Sequence, residues 1–178
     1  MAGPGAAEIS SPVALLGRID QICFLVEDLD TAIAHYSRLF DAEHWREYEY
    51  GPETVPALGY GDGEGKLSFR LALSDCDPQV ELIQSLRGPS IYSDWVERNG
   101  YGLHHLGFFT TDMGARVRDL EMLGLRVSQW GRGYGLDGDG GFTYFDSVAA
   151  FGFIIELIEI PRRRRRPRRE WAIRRCAE

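Results

Sequence analysis

Residues 19–40 read IDQICFLVEDLDTAIAHYSRLF, and residues 103–124 read LHHLGFFTTDMGARVRDLEMLG. Each stretch contains a short apolar run, then an aspartate, then apolar residues at the spacing of an amphipathic helix. At an offset of 84 residues, Gln21 aligns with His105 and Asp28 with Asp112. Self-similarity at a fixed offset indicates that one structural unit occurs twice in the chain. We therefore predict that each copy begins with a strand followed by a helix.

The two copies also end alike, on strands that each hold one glutamate inside an apolar run. QVELIQS at residues 79–85 aligns with IIELIEI at residues 154–160, at an offset of 75. Each copy has room for two more strands between its helix and its final strand, and glycine-rich turns separate them. These middle strands are predicted near residues 43–50, 66–73, 126–131 and 142–146.

The predicted fold class is α+β, with two βαβββ modules. Module one spans residues 17–88, module two spans residues 101–160, and PSIYSDWVERNG at residues 89–100 has the pattern of a linking helix. Residues 1–16 are small and polar, so we expect a flexible N-terminus. Residues 161–178 form an arginine-rich tail that cannot fold alone.

Composition and charge exclude several classes of protein. With 178 residues, 44% of them hydrophobic, the chain can bury a core and is not a disordered protein. Residues 161–178 carry a net charge of +7, whereas the preceding residues carry −14. An acidic body repels phosphate backbones, so we expect no nucleic-acid partner. The tail is either a tether for an anionic surface or a solvated extension that lies on the acidic body.

The cysteines and the apolar runs bear on location. Cys23, Cys76 and Cys176 are odd in number and widely spaced, which favours neither a disulfide framework nor a thiolate zinc site. No apolar run approaches the roughly 18 residues that cross a bilayer, and the N-terminus lacks the basic segment of a signal peptide. We therefore expect a cytoplasmic protein without a membrane partner.

Four polar residues occupy equivalent positions in the two modules. Glu81 and Glu156 each lie inside an apolar strand, and Gln21 and His105 each lie near the start of a first strand. A pseudo-twofold axis would bring these side chains together, and one imidazole with three oxygens suits Zn, Mn, Co or Ni. A glutamate in an edge strand usually faces water, and a lone histidine is usually structural. The pairing of all four by the repeat favours a metal site instead. His104 is expected on the opposite face from His105, as a supporting or structural residue.

The chain resembles the vicinal oxygen chelate superfamily, which includes glyoxalase I, methylmalonyl-CoA epimerase, extradiol dioxygenases and bleomycin-resistance proteins. The resemblance rests on the paired modules, the opening IDQICFLVEDLD, the segment GLHHLGFFTTD and the two ELI strands. The resemblance covers residues 17–160. VELIQS and IYSDWVERNGYGLHHLGF are most similar to the methylmalonyl-CoA epimerase branch. The resemblance implies a cup-shaped mixed sheet around a divalent metal, closed within one chain or across a homodimer.

The epimerase pattern implies that Glu81, His105 and Glu156 are its second to fourth metal ligands. Its first ligand is normally histidine, where this chain has Gln21, and the resulting set is similar to that of eukaryotic glyoxalase I. The glutathione-binding arginine of that enzyme is absent, with Glu27 nearby instead. Gln21 disfavours an extradiol dioxygenase, which needs two histidines, and the intact quartet disfavours a bleomycin-resistance binder.

We expect an isomerase or epimerase that moves a proton next to a carbonyl, with the metal stabilising the enolate. Glu156 is the first choice for the catalytic base and Glu81 the second. We expect the substrate to be a small carbonyl compound or an acyl thioester. A lyase or dehydratase using the same metal, and a metal-free binding protein, remain alternatives. The aromatic residues expected to line the cup and bind substrate are Trp95, Tyr101, Trp130 and Tyr144.

Overall fold

The computed structural model describes residues 14–173. The strands are β1 (Gln21–Leu25), β2 (His44–Tyr50), β3 (Ala57–Tyr60), β4 (Gly63–Glu64), β5 (Ser68–Ser74), β6 (Gln79–Arg87), β7 (Gly102–Phe109), β8 (Arg126–Arg132), β9 (Gly141–Asp146), β10 (Ile154–Glu159) and β11 (Arg169–Ala172). The helices are α1 (Leu29–Phe40), α2 (Ile91–Asn99), α3 (Met113–Met122) and the short α4 (Val148–Phe151). Within the described residues, no helix is long and apolar enough to cross a membrane.

All strands belong to one mixed sheet, whose order is β11-β2-β5-β6-β1-β7-β10-β9-β8-β3-β4. The predicted modules are adjacent blocks in this order. Module one supplies β2-β5-β6-β1 and module two supplies the mirror sequence β7-β10-β9-β8. In each block the first strand pairs in parallel with the last, and β1 pairs antiparallel with β7 where the blocks meet. The predicted βαβββ repeat is therefore confirmed.

The sheet curls until its two ends meet. Tyr50 lies at the end of β2 and Tyr134 follows β8, near opposite ends of the strand order, yet their ring centroids are 5.3 Å apart. One face of the sheet thus closes around a cluster of buried residues from both modules, and we call this face the cup. Helices α1 and α3 pack on the other face, each over its own apolar cluster.

Equivalent aspartates start the two long helices. The carboxylate of Asp28 accepts a hydrogen bond from the Thr31 backbone N–H at 2.8 Å. The carboxylate of Asp112 accepts one from Ala115 N–H at 2.9 Å. An aspartate at this position satisfies an N–H that has no partner within the helix. The predicted alignment of Asp28 with Asp112 therefore corresponds to the same local structure in both modules.

The glycine-rich segment at residues 59–65 differs from the expected simple turn. It contributes β3 and β4, and β3 pairs antiparallel with β8 of module two. Gly59 lies opposite Trp130, and a Cβ at Gly59 would fall within 2.4 Å of that indole ring. The pattern of glycines favours a turn, but pairing with a distant strand that carries a tryptophan requires glycine here as well.

Residues 161–173 extend across the acidic body, and we call them the C-terminal strap. Its strand β11 adds to the edge of β2, so the main-chain groups of that edge are paired. Four ion pairs hold the strap, namely Arg162–Asp139, Arg163–Asp137, Arg168–Glu49 and Arg169–Asp30. Residues 174–178, with Cys176, and residues 1–13 of the expected flexible terminus lie outside the described residues.

Candidate metal centre

The four side chains that the repeat pairs lie together on the cup face, at the middle of the sheet. Glu81 lies opposite Cys23 of β1 on one side, and His105 lies opposite Cys23 on the other. Gln21 and Glu156 both lie opposite Gly107 of β7. Because side chains alternate across a strand, these register positions point the four groups to one face. All four residues are at least 94% buried.

His105 is the centre of the cluster. Its Nε2 lies 2.9 Å from Glu156 Oε2 and 3.3 Å from Glu81 Oε2. Despite these distances, Nε2 has no well-directed hydrogen bond to any described residue. Burial alone lowers the pKa of His105, but the facing carboxylates of Glu156 and Glu81 outweigh it and raise the pKa to about 9. An imidazole nitrogen aimed between two carboxylates is suited to a shared cation.

Gln21 adds a fourth acceptor to the same point. The Gln79 amide N–H donates to the Ser74 carbonyl at 3.1 Å, so Gln79 Oε1 accepts from Gln21 Nε2 at 3.0 Å. Gln21 Oε1 is thereby turned towards Glu81 and Glu156, 3.2 Å from Oε2 of each. The opposite amide orientation would let Gln21 donate to both carboxylates at 3.2 Å, but it would put the Gln21 carbonyl oxygen 3.0 Å from Gln79 Oε1.

This convergence tests whether the residues fit a metal. Three buried oxygen acceptors within hydrogen-bonding distance repel one another unless a positive charge lies among them. A protonated His105 supplies that charge to Glu156 and Glu81, whereas a divalent cation could also bind the oxygen of Gln21. Two carboxylates, one amide oxygen and one imidazole are also a common donor set for zinc and similar metals. The donor set therefore fits a divalent ion.

Gly107 makes room for this arrangement, and sequence reasoning missed it. A Cβ at residue 107 would lie 2.9 Å from Gln21 Cβ and 3.1 Å from Gln21 Oε1. It would also lie 2.8 Å from Ile158 Cδ1. The absence of a side chain at Gly107 lets Gln21 and Glu156 approach from the strands on either side. The sequence feature that could have identified Gly107 was its position two residues after His105, which places both residues on the same face of the strand.

Cys23 is a second residue that sequence reasoning missed. It is fully buried, and its Sγ lies within 4.8 Å of ligand atoms of Glu81 and His105. Burial, together with the charges of Glu81 and Glu156, raises the pKa of the Cys23 thiol well above its ordinary value. The group is therefore a neutral thiol beside the cluster. Its position two residues after Gln21 in the first strand was the signal that could have found it.

His104 lies on the same face as His105, so the expectation of opposite faces is wrong. The register between β1 and β7 shifts here: Cys23 lies opposite His105, but Phe24 lies opposite Leu103. This β-bulge makes two consecutive residues face one side. His104 Nδ1 lies 2.9 Å from His105 Nδ1, and burial lowers the pKa of His104 well below its ordinary value. A neutral His104 accepting from His105 Nδ1–H would leave His105 Nε2 free to bind a cation.

Tyr144 is the one predicted cup-lining aromatic residue at the cluster. Its ring lies 5.0 Å from that of His105, and Tyr144 lies directly opposite Glu156 where β9 pairs with β10. The hydroxyl of Tyr92 donates to Tyr144 at 3.0 Å. Burial raises the pKa of Glu156, which the charge of His105 partly offsets. The tyrosine pair thus lies beside the carboxylate expected to act as the base.

The other predicted aromatic residues lie elsewhere. Trp95 packs behind His104, with ring centroids 5.3 Å apart, and shares a separate groove with Trp130. Tyr101 borders a third cavity and is 54% exposed. The cavity lined by Gln21, Glu81 and Glu156 instead has a volume of about 30 Å³, and its walls include Tyr50, Tyr134 and Tyr144. That is room for an ion with one or two water molecules.

A family model described as the glyoxalase/bleomycin resistance protein/dioxygenase superfamily matches residues 20–145. Among solved structures, the chain is similar to methylmalonyl-CoA epimerase from Mycobacterium tuberculosis, with a TM-score of 0.60, 23% identity, and coverage of 85% of this chain and 92% of the other. It is also similar to Streptomyces coelicolor methylmalonyl-CoA epimerase in complex with 2-nitronate-propionyl-CoA, with a TM-score of 0.59, 23% identity, and coverage of 81% and 97%.

A hypothetical protein from Bacillus halodurans gives a TM-score of 0.59 at 15% identity, covering 83% of this chain and 97% of the other. No curated protein matches the chain. At these identities the solved structures establish the fold, and the family model covers well over half of the sequence. The chain therefore belongs to the glyoxalase/bleomycin resistance protein/dioxygenase superfamily.

Proposed function

We propose that the protein is a divalent-metal-dependent isomerase or epimerase that moves a proton at the carbon next to a carbonyl. The observation that carries this proposal is the convergence of Gln21, Glu81, His105 and Glu156, one imidazole and three oxygen-bearing side chains, on one buried point. The solved epimerases of the same fold, one of them in complex with an acyl-CoA compound, support an acyl thioester or related carbonyl substrate.

The four residues would hold a zinc, cobalt, nickel or manganese ion. When bound, such an ion supplies positive charge that lowers the energy of an oxyanion developing on the substrate. The homodimer and the cytoplasmic location remain predictions. Light scattering of the purified protein at several concentrations measures its oligomeric state and so tests the homodimer.

Glu156 is the proposed base. Its carboxylate takes the proton from the substrate carbon; return of the proton by Glu156 gives an isomerisation on the same face, and inversion at that carbon requires a proton from a second acid, for which Glu81 is the candidate. Tyr144 lies opposite Glu156, and burial among aromatic rings excludes water from the reacting centre. Glu81 is the second choice, because it occupies the equivalent position in module one.

The test combines metal analysis with deuterium exchange. The purified protein is analysed for bound metal and is then incubated in D₂O with a panel of acyl thioesters and small carbonyl compounds. Uptake of one deuterium without other change in mass supports an isomerase or epimerase, and loss of water would indicate a lyase instead. Absence of bound metal, with no metal uptake on addition, would overturn the proposal.

Glu156→Gln tests the base. We expect exchange to fall by about 10²-fold or more, the usual contribution of a positioned base. Glu159→Gln, at the half-buried end of the same strand, is the matched control and should exchange like the wild type. Metal content is measured for both variants, so loss of the base is separated from loss of the ion. Unchanged exchange in metal-loaded Glu156→Gln would eliminate this assignment.

A further inference from the structure

The C-terminal strap places one arginine at the metal cluster. Arg164 lines the same small cavity as Gln21, Glu81 and Glu156. An isolated main-chain bridge to Gly135 and a hydrogen bond from Leu136 N–H to the Arg163 carbonyl fix the backbone there. The strap begins after residue 160, beyond the segment that the superfamily model matches. Arg164 is therefore carried by a segment that has its own attachment to the body.

Arg164 has different surroundings from the strap arginines that form ion pairs. Arg162, Arg163 and Arg168 are exposed and each meets a carboxylate. Arg164 is partly buried and forms no ion pair with any residue from 14 to 173. Its guanidinium lies 5.5 Å from the ring centre of Tyr48 and 5.4 Å from that of Tyr134. Its Nη1 donates weakly to the Tyr50 hydroxyl at 3.4 Å.

A guanidinium held against neutral aromatic rings keeps most of its hydrogen-bonding capacity. Arginine has five N–H donors in a planar fork that matches a carboxylate. Stacking on tyrosine rings stabilises the cation without using these donors. The single long contact to Tyr50 therefore leaves donors available towards the cavity.

The charges around the cavity point to what would bind there. Its charged lining residues are Glu81, Glu156 and Arg164. A divalent ion would neutralise the two glutamates, so that the net charge of the site would be that of Arg164 alone. One uncompensated positive charge in a cavity of low polarity favours a ligand with one negative charge.

We infer that Arg164 is the anion-recognition residue of the cup, and that the substrate carries a carboxylate next to the oxygens that face the metal. This inference rests on the proposed metal centre. The cavity over the cluster has room for one or two water molecules, so binding of such a ligand would require the strap to move outward. Its ion pairs are largely exposed, and exposed pairs resist such a shift only weakly.

The experiment uses the full chain loaded with Co²⁺, whose visible spectrum reports ligand binding at the metal. Two probes are titrated: acetohydroxamate, and malonomonohydroxamate, which adds one carboxylate to the same metal-binding group. Each is titrated into the wild type, Arg164→Met, Arg164→Gln and the control Arg163→Met. The Gln variant keeps a polar head in case the Met variant fails to fold, and cobalt content is measured for every variant.

We expect the wild type and Arg163→Met to bind malonomonohydroxamate about tenfold or more tightly than acetohydroxamate, as a charge-assisted hydrogen bond implies. In the Arg164 variants this preference falls to about one, while the affinity for acetohydroxamate is unchanged. A preference that persists without Arg164, or that is absent from the wild type, overturns the role of Arg164 and leaves the metal centre standing. Failure of the wild type to bind cobalt would overturn the metal centre, and this inference with it.

Discussion

Replacing Gly107 with alanine tests how the strand register builds the metal cluster. The added methyl group would lie 2.8 to 3.1 Å from atoms of Ile158 and Gln21, whereas ordinary contacts begin at 3.4 Å. These side chains must therefore move by about 0.3 to 0.6 Å. Overpacking of this kind costs about 1–3 kcal/mol of stability. For a domain of this size, each kcal/mol lowers Tm by roughly 2–4 °C.

The same displacement turns Gln21 Oε1 away from the metal position, so we expect Gly107→Ala to lower metal affinity by about tenfold or more. Thermal unfolding of the apo protein and calorimetric titration with Zn²⁺ measure the two effects. Gly63→Ala is the control, because a Cβ at Gly63 meets no atom within 4 Å. A Gly107→Ala protein that loses stability but binds zinc like the wild type would refute the argument that this gap positions Gln21.

Three further predictions concern the metal, its neighbours and the strap. Zinc at 100 times its Kd should stabilise the protein by about 2.7 kcal/mol and so raise its Tm, and a chelator should reverse this rise. Equal Tm values with and without zinc would contradict the metal centre. His104→Phe removes the acceptor for His105 Nδ1–H, so zinc affinity should fall about 10- to 100-fold; calorimetry showing wild-type affinity would exclude this role. The hydrogen bond from Arg163 lowers the pKa of Asp137 below its ordinary value of 3.8. The ionised Asp137 carboxylate therefore contributes to strap docking above pH 3.8, and this contribution disappears as the pH falls through the lowered pKa of Asp137 in the folded protein. The Leu136 amide, which donates to the Arg163 carbonyl, should therefore lose hydrogen-exchange protection at pH 3 relative to pH 5, after correction for intrinsic rates, and equal protection would disprove the dependence.

Much of the cluster could be predicted because the chain repeats itself. When two modules share one topology, residues at equivalent positions occupy equivalent places in the sheet, and the antiparallel pairing of β1 with β7 brings those places together. Gln21 and His105, and then Glu81 and Glu156, were identified as pairs on this basis. Unpaired charges inside apolar strands gave the second signal, because burial is costly without a partner.

Residues that depend on irregular register were not predictable in this way. Because side chains alternate along a regular strand, His104 was expected on the opposite face from His105, but a bulge in β7 places both on the same face. Gly107 and Cys23 carry no chemical signal of their own, and their importance follows from what lies across the neighbouring strands. Trp95 of α2 and Trp130 of β8 were chosen by residue type, which does not determine which cavity a side chain lines.

The sequence by itself determined the two modules, their helices with aspartate caps, and the four polar positions that the repeat relates, because these depend on local periodicity and on internal symmetry. Only the tertiary structure decided that the sheet curls until Tyr50 meets Tyr134, that β3 pairs with β8, and that the strap brings Arg164 over the cluster. Each of these is a contact between segments far apart in the chain. Such contacts depend on the shape and charge of the folded body, which no local pattern of residues encodes.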